Sequence, residues 1–197
     1  MVIRNLAQSG DTQLYAKNIP ITSFKSLKIQ QLIENLVDTM HDKNLIGLAA
    51  PQIRENYLIF VTHVRNTSVR TGTTDDGVRV FINPRITFLS SEKHIIYEGC
   101  GSIQEAQAFG PVERSKEIEV TAYDKNRKKI SLRCDGLLAR VILHEIDHLA
   151  GVLFTQKISN NERLLSTDEY TDQIKDSHSQ KTAALVALCE YKELNKR

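Results

Sequence analysis

From Ser26 to Met40 the apolar positions Leu27, Leu32, Ile33, Leu36, Val37 and Met40 recur mostly at three- and four-residue steps, with Lys28, Glu34 and Asp38 between them. That period predicts an amphipathic helix lying on a core. The pattern then changes: Leu45 to Ala50 is small and apolar, Pro51-Gln52 interrupts it, and Tyr57-Leu58-Ile59-Phe60-Val61 is rich in β-formers. Strands begin here. Asn66 to Gly77 holds two Gly, four Thr and two adjacent Asp, the composition of a solvated hairpin connection leading to a strand at Val78 to Ile82, which Asn83-Pro84 is expected to end. Further strands are predicted at Ile86 to Leu89, His94 to Tyr97, Glu117 to Tyr123 and Lys129 to Leu132, with Asp124-Lys125-Asn126 as a tight turn between the last two. Several of these alternate apolar and polar residues, as half-buried antiparallel strands do.

A second helix is predicted from Gly136 to Ala150, capped by Asp135 and stopped by Gly151. The tail reads as a polar linker from Asn160 to Gln180 and a terminal helix from Thr182 to Leu194, with Leu185, Leu188 and Cys189 inward. The expected fold class is α+β: antiparallel sheets wrapped around a central helix, with amino-terminal and carboxy-terminal helices, in one domain spanning residues 1–197. A length of 197 residues with 41% hydrophobic residues suits one such core. Lys+Arg of 26 against Asp+Glu of 24 leaves a net charge of +2, which gives no nucleic-acid footprint. The first ten residues lack a secretory pattern and no apolar stretch is long enough to span a bilayer, so a cytoplasmic protein without a membrane partner is expected. Cys100, Cys134 and Cys189 are too few and scattered for a disulfide framework.

The central helix carries the chemistry. His144-Glu145-Ile146-Asp147-His148 places two imidazoles four residues apart, about 40° from each other around the helix, so both can reach one ion. Glu145 lies to one side of the pair, where its carboxylate can take a proton from a water activated by the ion. The flanking Leu137, Leu138, Val141, Ile142 and Leu149 mark a core helix, in which unpaired imidazoles would be costly. A third ligand is required, with the fourth position open. Cys100, set between Gly99 and Gly101, is the preferred candidate as a thiolate, while Cys134 and Cys189 are better read as small buried side chains. Gln52 ends the small apolar run from Gly47, either as a surface amide at a strand end or as an N–H donor to an oxyanion; the residues alone leave both open. Asp147 is assigned an ion pair, with Arg114 its candidate partner, and Arg140 is read as a helix residue reaching toward solvent.

Taken together, Leu45 to Gln52, Glu98 to Ser102 and His144 to His148 resemble, in order and spacing, the three motifs of the peptide deformylases: Gly-x-Gly-x-Ala-Ala-x-Gln, Glu-Gly-Cys-x-Ser and His-Glu-x-x-His. The resemblance implies a metal-dependent hydrolase that removes the N-formyl group from the terminal methionine of new polypeptides. It implies Cys100, His144 and His148 as ligands of one divalent ion, Fe2+ favoured and Zn2+ or Ni2+ able to replace it, with Glu145 as general acid/base and Gln52 and the Gly101 N–H as oxyanion donors. Leu45, Ile46, Gly47 and Val141 are expected against an N-formyl-methionyl peptide; a transient ribosome contact and a monomer or weak dimer are compatible with this reading.

The chain departs from the pattern at Leu45, where the family carries glycine, and at Gly101, where many members carry leucine; Gln104 and Leu143 replace a frequent proline and glutamine. The expectation is a narrower approach at Leu45 and a lost pocket wall at Gly101, which leaves open an enzyme acting on another N-acyl peptide, or a metal-stabilised binding protein without turnover.

Overall fold

The computed structural model describes residues 2–67, 75–158 and 164–194. A six-stranded antiparallel sheet contains β1 (Gly47–Ala49), β2 (Ile59–Thr62), β3 (Arg79–Leu89), β6 (Glu117–Tyr123), β7 (Lys129–Asp135) and β9 (Cys189–Glu193), in that spatial order. A smaller sheet joins β4 (Lys93–Gly99), β5 (Ala108–Ser115) and β8 (Leu165–Ser166). Helix α1 (Leu27–Asp42) covers one face of the large sheet, burying Ile29, Leu32, Leu36 and Met40 against Leu48, Ile59, Val61, Val80 and Ile82. Helix α2 (Gly136–Leu149) packs Leu138 and Ile142 against Phe60, Phe81, Val120 and Leu132 on the opposite face. Antiparallel sheets around one central helix are what the alternation predicts.

Local chemistry sets the ends of both helices. The Ser26 hydroxyl accepts from the Ile29 N–H at 3.3 Å and caps α1. At the end of α2, Gly151 adopts φ 72°, its N–H bonds to His148 C=O, and the Val152 N–H reaches back to Asp147 C=O. This paired closure needs a left-handed residue, which glycine adopts without a steric cost.

Three expectations are corrected and one strand is added. Asn83-Pro84 does not end a strand: β3 runs through it, a register shift between Ile82 and Arg85 absorbs the proline, and the Asn83 amide pairs with both backbone groups of Ile21 at 2.8 Å. Strand β5 is not among the expected strands; it accommodates Gly110-Pro111, since Pro111 lies opposite Tyr97, whose N–H points away from it. Asp135 does not cap α2 with its side chain, because its carboxylate accepts from the N–H groups of Ala187 and Leu188 at 2.8 Å each. That capture also overturns the terminal helix. The tail instead forms α3 (Thr167–Gln173), α4 (His178–Ala184) and the extended strand β9, so Leu185 and Cys189 are exposed, with Cys189 opposite Cys134 across β7. Part of the linker and the middle of the β2–β3 connection lie outside the described residues. Among the described residues no helix is long and apolar enough to cross a membrane.

Candidate metal centre

Helix α2 carries His144, Glu145 and His148 into the gap between the sheets, where the chain leaving β4 presents Cys100 and the short 3-10 turn Ala50–Ile53 presents Gln52. Cys100 Sγ lies 3.2 Å from His148 Nε2. One ligand atom each from Cys100, His144 and His148 falls within 4.8 Å of the others. The two imidazoles stand edge to face with centroids 4.9 Å apart. One sulfur and two imidazole nitrogens converging in a buried place form a donor set that fits a divalent transition ion with an open position.

Glu98 organises this cluster. Its Oε2 sits 2.9 Å from His144 Nδ1, which leaves Nε2 of that ring for the cluster. Arg114 donates to both Glu98 oxygens, at 2.6 and 2.9 Å, and reaches Asp147 at 2.6 Å. Arg140 donates to Glu98 at 2.9 Å and to the carbonyls of Val112 and His94. The Asp147–Arg114 pair matches its expectation. Arg140 does not: it is 5% exposed and belongs to the buried ion network. Sequence reasoning gave Glu98 no role. The available signal was a carboxylate next to a Gly-Cys pair with two arginines elsewhere, and their convergence is a product of folding.

Burial pushes the Glu98 carboxyl upward, yet the Arg114 charge and the hydrogen bonds from Arg114 and His144 outweigh it and hold Glu98 well below the usual carboxylate range. Burial would likewise depress His144, but hydrogen bonding to Cys100 and Glu98 raises it, whereas His148 is kept low by burial and by the neighbouring His144 charge. Glu145 is 3% exposed, and one of its oxygens has no hydrogen-bond partner. Burial pushes it up to about 7, against the partly compensating pull of His144 and Arg114.

Gln52 is 2% exposed, which removes the surface-amide reading. Its Oε1 is tied to the Ala49 N–H at 2.9 Å, turning its NH2 toward Cys100 Sγ at 3.7 Å and Ser102 Oγ at 3.3 Å. A cleft of about 720 Å³ opens from the cluster, lined by Leu45, Ile46, Gly47, Gln52, Cys100, Gly101, Val141, His144 and Glu145; His148 lies buried behind it. Every expected site residue is therefore brought to one place. The two departures also meet: a Cβ built at Gly101 would lie 3.2 Å from Leu45 Cδ1 and 2.7 Å from Leu6 Cδ1. Side chains at Leu45 and Leu6 already occupy the space over Gly101, so the pocket is not left without a wall there.

Residues 3–164 match the family model for polypeptide deformylase. The chain belongs to the peptide deformylase family. It is 36% identical to the peptide deformylase of Pseudothermotoga lettingae, over 89% of this chain and 95% of that protein. It is 33% identical to the chloroplastic peptide deformylase 1A of Solanum lycopersicum, over 79% of this chain but 59% of that longer one. Among solved structures, the class I type b peptide deformylase of Acinetobacter baumannii superposes with a TM-score of 0.76 at 29% identity, covering 81% of this chain and all of that one. That of Thermotoga maritima gives 0.70 at 32% identity and covers the same shares. Deformylases are metal-dependent hydrolases acting on the N-formyl group of nascent peptides, and the Cys/His/His cluster is where this chain can hold its ion.

Proposed function

We propose that this chain deformylates the amino terminus of newly made polypeptides, with Glu145 as the acid/base and Gln52 and the Gly101 N–H as the oxyanion donors. The observation that carries the reading is the pairing of an unpartnered, buried Glu145 oxygen with a Cys100, His144 and His148 donor set along one cleft. An ion held by Cys100 Sγ, His148 Nε2 and the free nitrogen of His144 supplies Lewis acidity toward water and the formyl carbonyl. Glu145 takes the proton of the attacking water, its carboxyl pushed up to about 7 by burial at the inner end of the cleft. The oxygen of the tetrahedral adduct accepts from Gln52 Nε2 and the Gly101 N–H, which strengthens as charge develops. Glu145 then returns the proton to the departing amine, and formate and a free amino terminus result.

A peptide substrate fits because the cleft runs between β1 and β4, each at the edge of its sheet among the described residues. Open edges recruit an extended chain by backbone pairing. The Acinetobacter baumannii relative has been solved with Met-Ala-Ser bound, and the same tripeptide chemistry suits this cleft. One thiolate with two imidazoles suits Fe2+, Zn2+ and Ni2+ alike, and the likeness to the family is what favours Fe2+. Cys100 outside any disulfide suits the reducing cytoplasm, where a monomer or weak dimer would meet nascent chains near the ribosome.

The test is deformylation of a formyl-Met peptide by protein loaded anaerobically with Fe2+, beside a Glu145→Ala variant of equal metal content. Activity confined to the wild type is expected; wild-type activity no greater than the variant's would refute the reading.

A further inference from the structure

The two sheet edges that face the cleft are not open along their length. The His63 N–H bonds to Ile46 C=O, so Ile46 faces β2, and by alternation Leu45, Gly47 and Ala49 face the cleft. The Ala49 N–H is held by Gln52 Oε1. The Leu45 N–H donates to Met40 C=O at 2.9 Å, and Leu45 C=O accepts from Arg65 Nη1 at 2.5 Å. Gly47 is thus the residue of β1 whose pair of outward groups is left for a peptide.

On β4 alternation turns Lys93, Ile95, Tyr97 and Gly99 outward, of which Tyr97 and Gly99 lie nearest the cluster. The Tyr97 N–H donates to Gln180 Oε1 at 3.1 Å, and Gln180 Nε2 donates to Tyr97 C=O at 3.3 Å. A side-chain amide has the same donor and acceptor as a peptide group, so Gln180 docks on Tyr97 as a strand residue would. It is 8% exposed on α4, is braced by the Tyr170 hydroxyl at 3.4 Å, and Tyr170 in turn stacks on Phe109 with centroids 4.2 Å apart. Gly99 precedes Cys100, and a Cβ at Gly47 would meet Glu145, so both free positions lie at the reacting end. Moving away from the centre along either strand leads to a residue whose backbone is already taken.

We propose that this chain ends its own peptide track close to the reacting end, with Gln180 as the stop on β4 and Arg65 as the stop on β1. Backbone recognition then covers the stretch of substrate beside Gly47 and Gly99 and ignores the residues farther from the formyl end. Gln180 lies beyond residues 3–164, the region that matches the family, so the stop on β4 belongs to the carboxy-terminal segment of this chain. The inference rests on the peptide-cleft reading above and adds a length limit to it.

The test is a series of formyl-Met peptides of two to six residues, assayed for kcat/KM on the metal-loaded full chain, beside calorimetric binding of the same peptides without the formyl group. Wild type should level off after the residue that pairs with Gly99. Gln180→Ala should keep gaining with length, by about 5-fold or more for two backbone hydrogen bonds. Gln180→Leu, which keeps the bulk and removes the amide, should remain level. Arg65→Ala frees Leu45 C=O alone, its N–H staying on Met40, so the β1 edge should gain with length by about 2-fold or more for one backbone hydrogen bond, and this arm applies even if Gln180→Ala unfolds the tail, as read by circular dichroism. A wild type that gains with length as Gln180→Ala does, or a folded Gln180→Ala and Arg65→Ala that both stay level, overturns the proposal. Length-dependent binding without turnover at any length would defeat the hydrolase reading while still deciding the track.

Discussion

Gly47→Ala isolates what the closeness of β1 to α2 does for the reaction. An added Cβ would lie 2.4 Å from Glu145 Oε1 and 2.7 Å from Val141 Cγ1, where ordinary contact begins at 3.4 Å. The Gly47 backbone is not left-handed, so the conflict is with these two side chains and not with φ. Val141 is held by the core of α2, whereas Glu145 Oε1 is the end of a flexible side chain and will yield by about 1 Å. A displacement of about 1 Å at a group that must meet a reacting proton costs on the order of 100-fold in rate, or about 2.7 kcal/mol of transition-state stabilisation. The overpacking against Val141 adds about 1 kcal/mol or more of lost stability. We expect kcat/KM for a formyl-Met peptide to fall about 100-fold, with metal content unchanged and only a small fall in Tm. Full activity in Gly47→Ala would refute the claim that this contact sets the position of Glu145; loss of the metal would show that the damage lies elsewhere.

Gly101→Leu should impair activity by about tenfold or more through collision with Leu45 and Leu6, and Leu45→Gly in the same chain should recover part of it; a double variant no better than Gly101→Leu alone would deny the compensation. Arg114→Ala takes one of two cations from Glu98, which keeps Arg140, and one of two from Asp147, which keeps Lys157, and should cost about 3 kcal/mol in urea unfolding, the low end for a broken buried pair. Because the folded Glu98 carboxyl is depressed, its contribution to stability is complete above the ordinary carboxylate pKa of about 4.3 and is lost as pH falls below it; Glu98→Gln should flatten that acid limb of the unfolding curve. Glu145 acts as a base only when ionised, so kcat/KM should rise with pH through a value at or below about 7, a bound cation moving it downward, and Glu145→Gln should abolish the limb. Chelation should abolish activity and lower Tm, and both should return with Fe2+, since an ion bound only by the folded chain stabilises it.

The donor set was legible because its spacing is local. His144 and His148 share a helix face by simple rotation, and Cys100 stands out between two glycines. The apolar periods of α1 and α2 and the alternation of β6 and β7 likewise survive into the structure, since burial on one face is what those patterns encode. Other features depended on partners distant in sequence. The tail from Thr182 has helical spacing, yet the Asp135 carboxylate takes the N–H groups of Ala187 and Leu188 and turns it into a strand. Arg140 looks like a surface residue until Glu98, Val112 and His94 surround it, and Glu98 acquires its role only when Arg114, Arg140 and His144 converge on it. From the sequence come the candidate ligands, the candidate base and, through three ordered motifs, the class of reaction, each motif carried by residues close together on one helix or one turn. The length of the peptide track and the shared space of Leu45 and Gly101 were decided by tertiary structure, because both depend on which backbone groups and side-chain volumes are already occupied by segments far along the chain.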